Sequence, residues 1–409
     1  MTEKTNHKRL WSRLMEMAKL GATPNGGCNR QALTDLDSMG RALLIEWASE
    51  IGCSHHYDEI GNLFIRREGQ SPQLPVILVG SHLDTQPSGG KFDGVYGVLA
   101  GLEVLHTLTE KEIDTLHPIE LVVWTNEEGC RFDCAMMGSA VWTQSMPLQQ
   151  AYDLQAFDNH ARVEDELIRL GQKGQVSARY FPIKAAFELH IEQGPILEHE
   201  QLTIGVVKGA QHMSRHNISV WGQEAHAGPT PMSSRRDPMM ALSLFLPKLY
   251  QLAEEYAPDS RITFGIIDVE PASPNTVPGK LMLTMDIRHP DLATYLDMLE
   301  KSEQIISQSC GSLDLEFQLK QSWHAPGVEF SEACIASVQQ AVDDLGYSNK
   351  VMVSGAGHDA VNLARVVNTS MIFIPCRDGL SHNEAEYASP TDVGKGADVL
   401  LNAILSQAV

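Results

Sequence analysis

The stretch Pro75-Val-Ile-Leu-Val-Gly-Ser-His-Leu-Asp84, continued by Ser88-Gly-Gly90 and Asp93, restricts the fold more than any other part of the chain. Residues 76–79 are a short apolar run bounded by Pro75 and Gly80, which predicts a buried strand. Beyond the glycine-rich turn, Val95, Val98, Leu99, Leu102 and Leu105 recur at helical spacing. A second apolar run, Ile119-Glu-Leu-Val-Val-Trp124, then completes a strand-helix-strand unit. Units of this kind build mostly parallel α/β sheets, whose ligands gather where the strands end.

Polar groups are found at those ends. His82 and Asp84 are two apart, so in an extended backbone they share a face, and the Asp84 carboxylate can receive the imidazole N–H and fix its tautomer. Asp93 stands just before the helix pattern, a carboxylate at a helix N-terminus. Glu127 and Glu128 follow the second strand; adjacent residues point different ways there, so one can hold a metal while the other faces a reacting water. A third apolar strand, residues 186–191, carries His190 and leads into Glu192-Gln193-Gly194-Pro195. After a final apolar strand at 371–374 comes Gly379-Leu-Ser-His382.

Each of these residues alone has an ordinary explanation: a hydrogen-bonded His-Asp pair, a solvated acidic turn, a core histidine. Their recurrence at successive strand ends points to a shared site. His82, Asp93, Glu128, His190 and His382 supply three imidazoles and two carboxylates, a mixed set that suits zinc and also manganese, cobalt or nickel. Asp93 can bridge two ions, and Glu127 is then the natural proton shuttle.

From about 208 to 324 the pattern changes. A strand near 217–221, a helix near 239–256, strands near 262–269 and 281–287, a helix over 292–309 and a strand over 313–319 give the order βαββαβ. That order predicts an antiparallel sheet with two helices on one face, an inserted α+β domain over 208–324 that divides a first domain into 1–207 and 325–409. Helices are also expected over 8–20, 38–50, 331–345 and 391–405, and strands over 63–65 and 351–353. The 409 residues, 43% of them apolar, are enough for two cores.

A net charge of -21 disfavours nucleic acid or an anionic membrane as partner. Seven scattered cysteines suit a reducing compartment, with Cys130 and Cys134 read as ordinary thiols. No run of eighteen apolar residues occurs, so a soluble, cytoplasmic protein is expected.

Nine motifs, GSHLDT (80–85), GGKFDGVYG (89–97), TNEEGCRF (125–132), ELHIEQGP (188–195), EAHAGPTPM (224–232), PNTVPG (274–279), DIRH (286–289), SGAGHDA (354–360) and SHNEAE (381–386), span nearly the whole chain. In these the sequence resembles the M20-type amidohydrolases of the N-carbamoyl-L-amino-acid hydrolase, β-ureidopropionase and allantoate amidohydrolase group. The resemblance implies two divalent ions per subunit, zinc first, held by His82, Asp93, Glu128, His190 and His382 with Asp93 bridging. It implies Glu127 as general base and Asp84 as the acid that orients His82. It makes the inserted domain a lid and a homodimer interface. Gln193, His226, Asn275, Arg288 and Gly357 become contacts for a small ureido or carboxylate substrate, Arg288 gripping a carboxylate and His226 an oxyanion from the neighbouring subunit.

Histidine at position 190, where peptidase relatives carry a carboxylate, favours ureido compounds over peptides. The implied reaction cleaves the ureido C–N bond of an N-carbamoyl amino acid, giving amino acid, carbon dioxide and ammonia. Allantoate hydrolysis, or a dinuclear aminoacylase or dipeptidase activity, is the alternative. A metal-free capture protein is disfavoured by the intact ligand set. The chain departs from the group at Glu384, where proline is common, and residues 209–216 do not decide between substrates.

Overall fold

Strands of the described residues, 2–409, pair into three sheets in the computed structural model. The chain divides into two units: unit 1 ends at Gly209 and resumes at Glu329, and unit 2 is Ala210–Val328. Unit 1 begins with β1 (Ser54–Tyr57), β2 (Leu63–Arg67), β3 (Val76–His82), β4 (Ile119–Trp124), β5 (Ile183–Ile191) and β6 (Ile204–Ala210). Unit 2 holds β7 (His212–Trp221), β8 (Ala225–His226), β9 (Arg261–Thr263), β10 (Ile267–Glu270), β11 (Thr276–Val277), β12 (Lys280–His289) and β13 (Glu316–Ala325). The chain closes with β14 (Val328–Glu329), β15 (Asn349–Ser354) and β16 (Thr369–Ile374).

The large sheet runs β1-β2-β4-β3-β5-β16-β6-β14, with β15 beside β6. Its centre, β4-β3-β5-β16, is parallel. Its margins are antiparallel, β1 on β2, β2 on β4 and β6 on β16. The architecture is therefore mixed α/β, and the parallel part is narrower than the sequence suggested. The link from β1 to β2, residues 58–62, is too short for a parallel crossover and forces a reversal.

The central strands are buried on both faces, as parallel strands must be. Ile77, Val79, Leu121, Val123, Ala185, Phe187 and Leu189 enter the main core. That core also takes the buried faces of helices His7–Met17, Val95–Glu110, Glu332–Leu345 and Pro390–Ala408. Leu78, Val122, Trp124 and Ala186 face the other way, onto Trp142 and Leu363. In the helix after Asp93, Val98, Leu99, Leu102 and Leu105 have no exposure. Burying each side chain stabilises the fold by roughly 1.5–3 kcal/mol, and a Leu102→Ala cavity would cost about 2–5 kcal/mol.

In unit 2, β7 is flanked by β12 and β13, and β12 by both β9 and β10. Leu281, Leu283, Met285 and Ile287 of β12 are buried while their alternate neighbours are not. That period of two points one face onto the helices Pro238–Glu255 and Leu292–Gly311, which complete the second core. The strand expected near 262–269 is two strands. Thr263 pairs with Asp286 but Ile267 with Leu283, so one side advances four residues while the other advances three. The extra residue makes a bulge that ends one strand and begins the next.

Several elements carry no sequence expectation: β1, β6 and the short helices Met137–Trp142, Leu148–Tyr152 and Val163–Arg169. The second helix starts at Asp35 rather than 38, because Thr34 Oγ1 accepts the N–H of Asp37 at 3.3 Å and caps it there. Among the described residues, no helix is long and apolar enough to cross a membrane.

Candidate active site and metal centre

The β3–β5 register explains why two histidines meet. Leu78 is opposite Ala186, and continuing that pairing sets His82 level with His190 on the same face. Their ring centroids are 6.1 Å apart. Asp93 enters from the turn before helix Val95–Glu110, with Oδ1 at 3.1 Å from His190 Nε2 and 3.6 Å from His82 Nε2. Gly94, at φ +66°, makes this approach possible, because a Cβ there would lie 2.3 Å from the His82 ring. Glu128, beyond β4, and His382, beyond β16, approach the other side of Asp93. His382 Nε2 is 3.6 Å from Asp93 Oδ2 and 3.3 Å from Glu128 Oε2.

Two candidate metal groups result, His82–Asp93–His190 and Asp93–Glu128–His382, with Asp93 common to both. The five residues expected as ligands are thus brought together. Asn126, Gln193 and His382 adopt left-handed backbone at φ +55°, +56° and +53° beside them. Such conformations carry strain that surrounding structure must hold, and they concentrate at functional sites.

The donor chemistry fits divalent cations. Burial, followed by the charge of Asp93, pushes the Glu128 carboxyl up to about 8. Burial also lifts Glu127 well above the carboxylate range, with Asp359, Glu128 and Asp84 adding to the effect against His82. Asp93 goes the other way: burial opposes its ionisation, but His190 and His82 hold it well below the usual range. Protonation of His82 is opposed by burial and favoured more strongly by Glu127, Asp93 and Asp84. Carboxylates crowded this closely in a dry site are what a bound cation would neutralise. Both inner histidines turn their second nitrogen to a backbone carbonyl, His82 Nδ1 to Asp84 at 2.9 Å and His190 Nδ1 to Ile191 at 2.9 Å, which leaves Nε2 facing the centre.

Asp84 departs from its expected geometry. Its carboxylate is 3.9 Å from His82 Nδ1, and instead accepts the N–H groups of Glu127 at 3.3 Å and Glu128 at 3.1 Å. The reason is that β3 ends at His82, so the two residues do not share an extended face. Asp84 orients His82 through its carbonyl and positions the glutamates through its side chain. Glu127 Oε2 lies 3.5 Å from His82 Nε2, at the inner group.

The expected substrate contacts are distributed over both units. Gln193, in unit 1, donates from Nε2 to Asp93 Oδ2 at 2.7 Å, while its Oε1 is buried without a partner. Gly357 is half-buried in the loop before His358, whose ring packs edge-on against His190 at 4.6 Å. In unit 2, His226 and Asn275 are neighbours on the small β8–β11 ribbon, where the Ala227 N–H donates to the Asn275 carbonyl at 2.9 Å. Arg288 lies on the face of β12 away from the helices, and its guanidinium contacts Asp286 at 2.6 and 3.3 Å.

Sequence reasoning assigned no role to four further residues around the centre. Ser381 donates to Asp93 Oδ2, and Glu386 accepts from the loop that carries Asp93. Glu188 accepts from Ser81 Oγ at 2.6 Å and from the Ala360 N–H at 2.8 Å. Asp359 accepts from Ser139 Oγ at 2.5 Å. Glu188 had a readable signal, an acid two residues before His190 on the same face of an apolar strand.

Comparison with known proteins agrees with this construction. Residues 78–406 match Peptidase family M20/M25/M40. An N-carbamoyl-L-amino-acid amidohydrolase of Rhizobium meliloti is 42% identical over 99% of this chain and 97% of its own length. A ureidoglycolate hydrolase of Arabidopsis thaliana is 32% identical over 96% of this chain and 84% of its own. The crystal structure of an amidase of the hydantoinase/carbamoylase family from Burkholderia multivorans superposes with a TM-score of 0.95 at 47% identity, covering 99% of this chain and 98% of that one. With the five candidate ligands converging and the family pattern matched from β3 to the closing helix, the chain belongs to peptidase family M20/M25/M40.

Proposed function

We propose that the protein is a two-metal amidohydrolase that cleaves the ureido C–N bond of N-carbamoyl amino acids, giving the amino acid, carbon dioxide and ammonia. The observation that carries this reading is Asp93 standing common to two ligand groups within a chain similar, over nearly its full length, to N-carbamoyl-L-amino-acid amidohydrolases. Divalent ions held there, zinc first with manganese, cobalt or nickel as alternatives, would supply a Lewis acid for the ureido carbonyl and lower the pKa of the attacking water.

Glu127 takes a proton from that water as its oxygen adds to the ureido carbon. It returns the proton to the nitrogen whose bond to carbon breaks, and the remaining carbamate splits. One water is consumed, and amino acid, carbon dioxide and ammonia balance. Burial raises the Glu127 carboxyl and so makes it a stronger base than a solvated carboxylate. Asp84 fixes the backbone of Glu127 and Glu128. Gln193, Gly357, His226 and Asn275 contact the substrate, and Arg288 takes its carboxylate, a planar bidentate match.

The inserted unit serves as lid and homodimer interface. The exposed Met240 and Leu244 on one helix and Ile266 and Ile267 beside β12 support a partner surface there. Sedimentation should therefore give twice the chain mass; a monomer at micromolar concentration would remove the interface.

The direct test is ammonia release from N-carbamoyl-L-amino acids, N-carbamoyl-β-alanine, allantoate and ureidoglycolate after loading with zinc, manganese or cobalt, with amine release from an N-acetyl amino acid alongside. A carbamoyl amino acid should be turned over fastest. Preference for ureidoglycolate, to whose plant hydrolases the chain is also similar, or for allantoate would move the enzyme to that substrate. Release only from the acetyl compound would make it an aminoacylase.

A further inference from the structure

The outer metal group depends on two loops that are far apart in sequence. Asp93 lies in the turn before helix Val95–Glu110, and His382 lies in the irregular segment between β16 and the closing helix. Glu386, buried at 4% exposure, joins them. Its Oε1 accepts the N–H groups of Phe92 at 2.8 Å and Asp93 at 3.1 Å, and its Oε2 accepts from Ser381 Oγ at 3.1 Å. Ser381 also reaches Asp93 Oδ2, so the residue beside His382 touches both the carboxylate and its clamp. The fit is close: a Cβ on Gly90 would lie 2.0 Å from the Glu386 carboxyl.

The inner histidines need no such connection. His82 and His190 extend from adjacent strands whose pairing sets their separation. His382 has no strand beneath it, its backbone is in the left-handed region, and its side chain is 52% exposed. Holding it opposite Asp93 therefore falls to contacts between loops.

We propose that Glu386 is a positioning residue that fixes the loop of His382 against the loop of Asp93, and so governs metal occupancy of the Asp93–Glu128–His382 group more than that of the His82–Asp93–His190 group, whose two histidines are held by paired strands. This rests on the two-metal reading above. The clamp works through hydrogen-bond geometry, since its partners are two neutral backbone N–H donors and one neutral hydroxyl. Glutamine satisfies the same geometry: its Oε1 accepts both backbone N–H groups, and its Nε2 donates to Ser381 Oγ, whose proton then goes to Asp93. Alanine leaves two backbone donors without an acceptor.

The experiment is metal stoichiometry by mass spectrometry on protein loaded with zinc and desalted, read beside circular dichroism. Wild type should retain two ions per chain, Glu386→Ala about one, and Glu386→Gln close to two. Ser381→Ala breaks the bridge without orphaning a backbone group, and should weaken one site of the two by roughly 10–100-fold, the usual effect of removing a ligand's supporting partner. If Glu386→Ala fails to fold, the serine and glutamine variants decide. Two tightly held ions in Glu386→Ala, or wild-type affinity at both sites in Ser381→Ala, would overturn the proposal, as would loss of an ion from Glu386→Gln. A wild type that holds only one ion would instead overturn the two-metal reading.

Discussion

The inner and outer candidate metal groups share Asp93 but are built by different means. The inner group draws His82 and His190 from neighbouring parallel strands, and all three of its members are buried. The outer group draws Glu128 and His382 from loops, and His382 is exposed. A sheet fixes positions through backbone pairing and leaves side chains little freedom, whereas a loop must be held by specific contacts. The difference separates a site set by the fold from one set by hydrogen bonds, and it can be tested group by group.

The largest expected effect is on chemistry and should disturb neither group. Glu127→Gln keeps the shape of the side chain but removes the base, and kcat should fall by about 10²–10⁴-fold with metal content unchanged. Activity within a factor of a few of wild type would take the proton transfer away from Glu127.

Ligand removal should separate the groups. His190→Ala exposes a gap in the buried centre and should lose the inner ion with a drop in thermal stability, whereas His382→Ala should lose the outer ion with little change in melting temperature. Elemental analysis beside calorimetry reads both. Equal destabilisation by the two variants would erase the distinction.

Acid should act on both groups. Burial and the charge of Asp93 push the Glu128 carboxyl up from 4.5 to about 8 without metal. Against burial, the nearby carboxylates hold the His82 imidazolium well above its usual range, so each group must release a proton before a cation binds. Metal affinity should rise as pH climbs through about 8. The sign for stability is opposite without metal: a carboxyl raised on folding contributes stability below 4.5 that is lost as pH climbs through about 8. Melting temperatures of metal-free and loaded protein should therefore diverge across that window, and parallel curves would count against the carboxylate as a ligand.

The smallest effect should miss both groups. Arg288→Lys removes the planar fork, and KM should rise roughly tenfold, about the worth of one charged hydrogen bond, with kcat and metal content preserved. A loss of metal would show that Arg288 acts on the centre instead.

The sequence made the inner group more legible than the outer. Strand ends carrying His82 and His190 are marked by apolar runs, and period-two alternation gives the face. His382 follows the apolar run at 371–374, but nothing local predicts where the irregular loop that carries it will sit. The same limit explains Asp84: extended geometry was assumed through residue 84, while the strand stops at His82. Glu386 was visible as a letter in SHNEAE, but its three partners come from residues 92, 93 and 381, a convergence that only tertiary structure reveals. The bulge that divides β9 from β10 was hidden for a similar reason, since Phe264, Ile266 and Ile267 read as one continuous apolar run.

The position of β16 also sets the order in which the molecule can be completed. It lies between β5 and β6, with Thr369 beside Ala186 and Met371 beside Val207, although all of unit 2 is synthesised in between. Until β16 arrives, β5 has an open edge carrying His190, and that edge is a ready template for pairing with another chain. Non-local strand closure of this kind is slow and leaves intermediates prone to aggregation. Unit 2, made from one continuous segment, has no such wait. The last sheet strand to be made is therefore the one that closes the edge beside His190 and brings the His382 loop to the other candidate ligands.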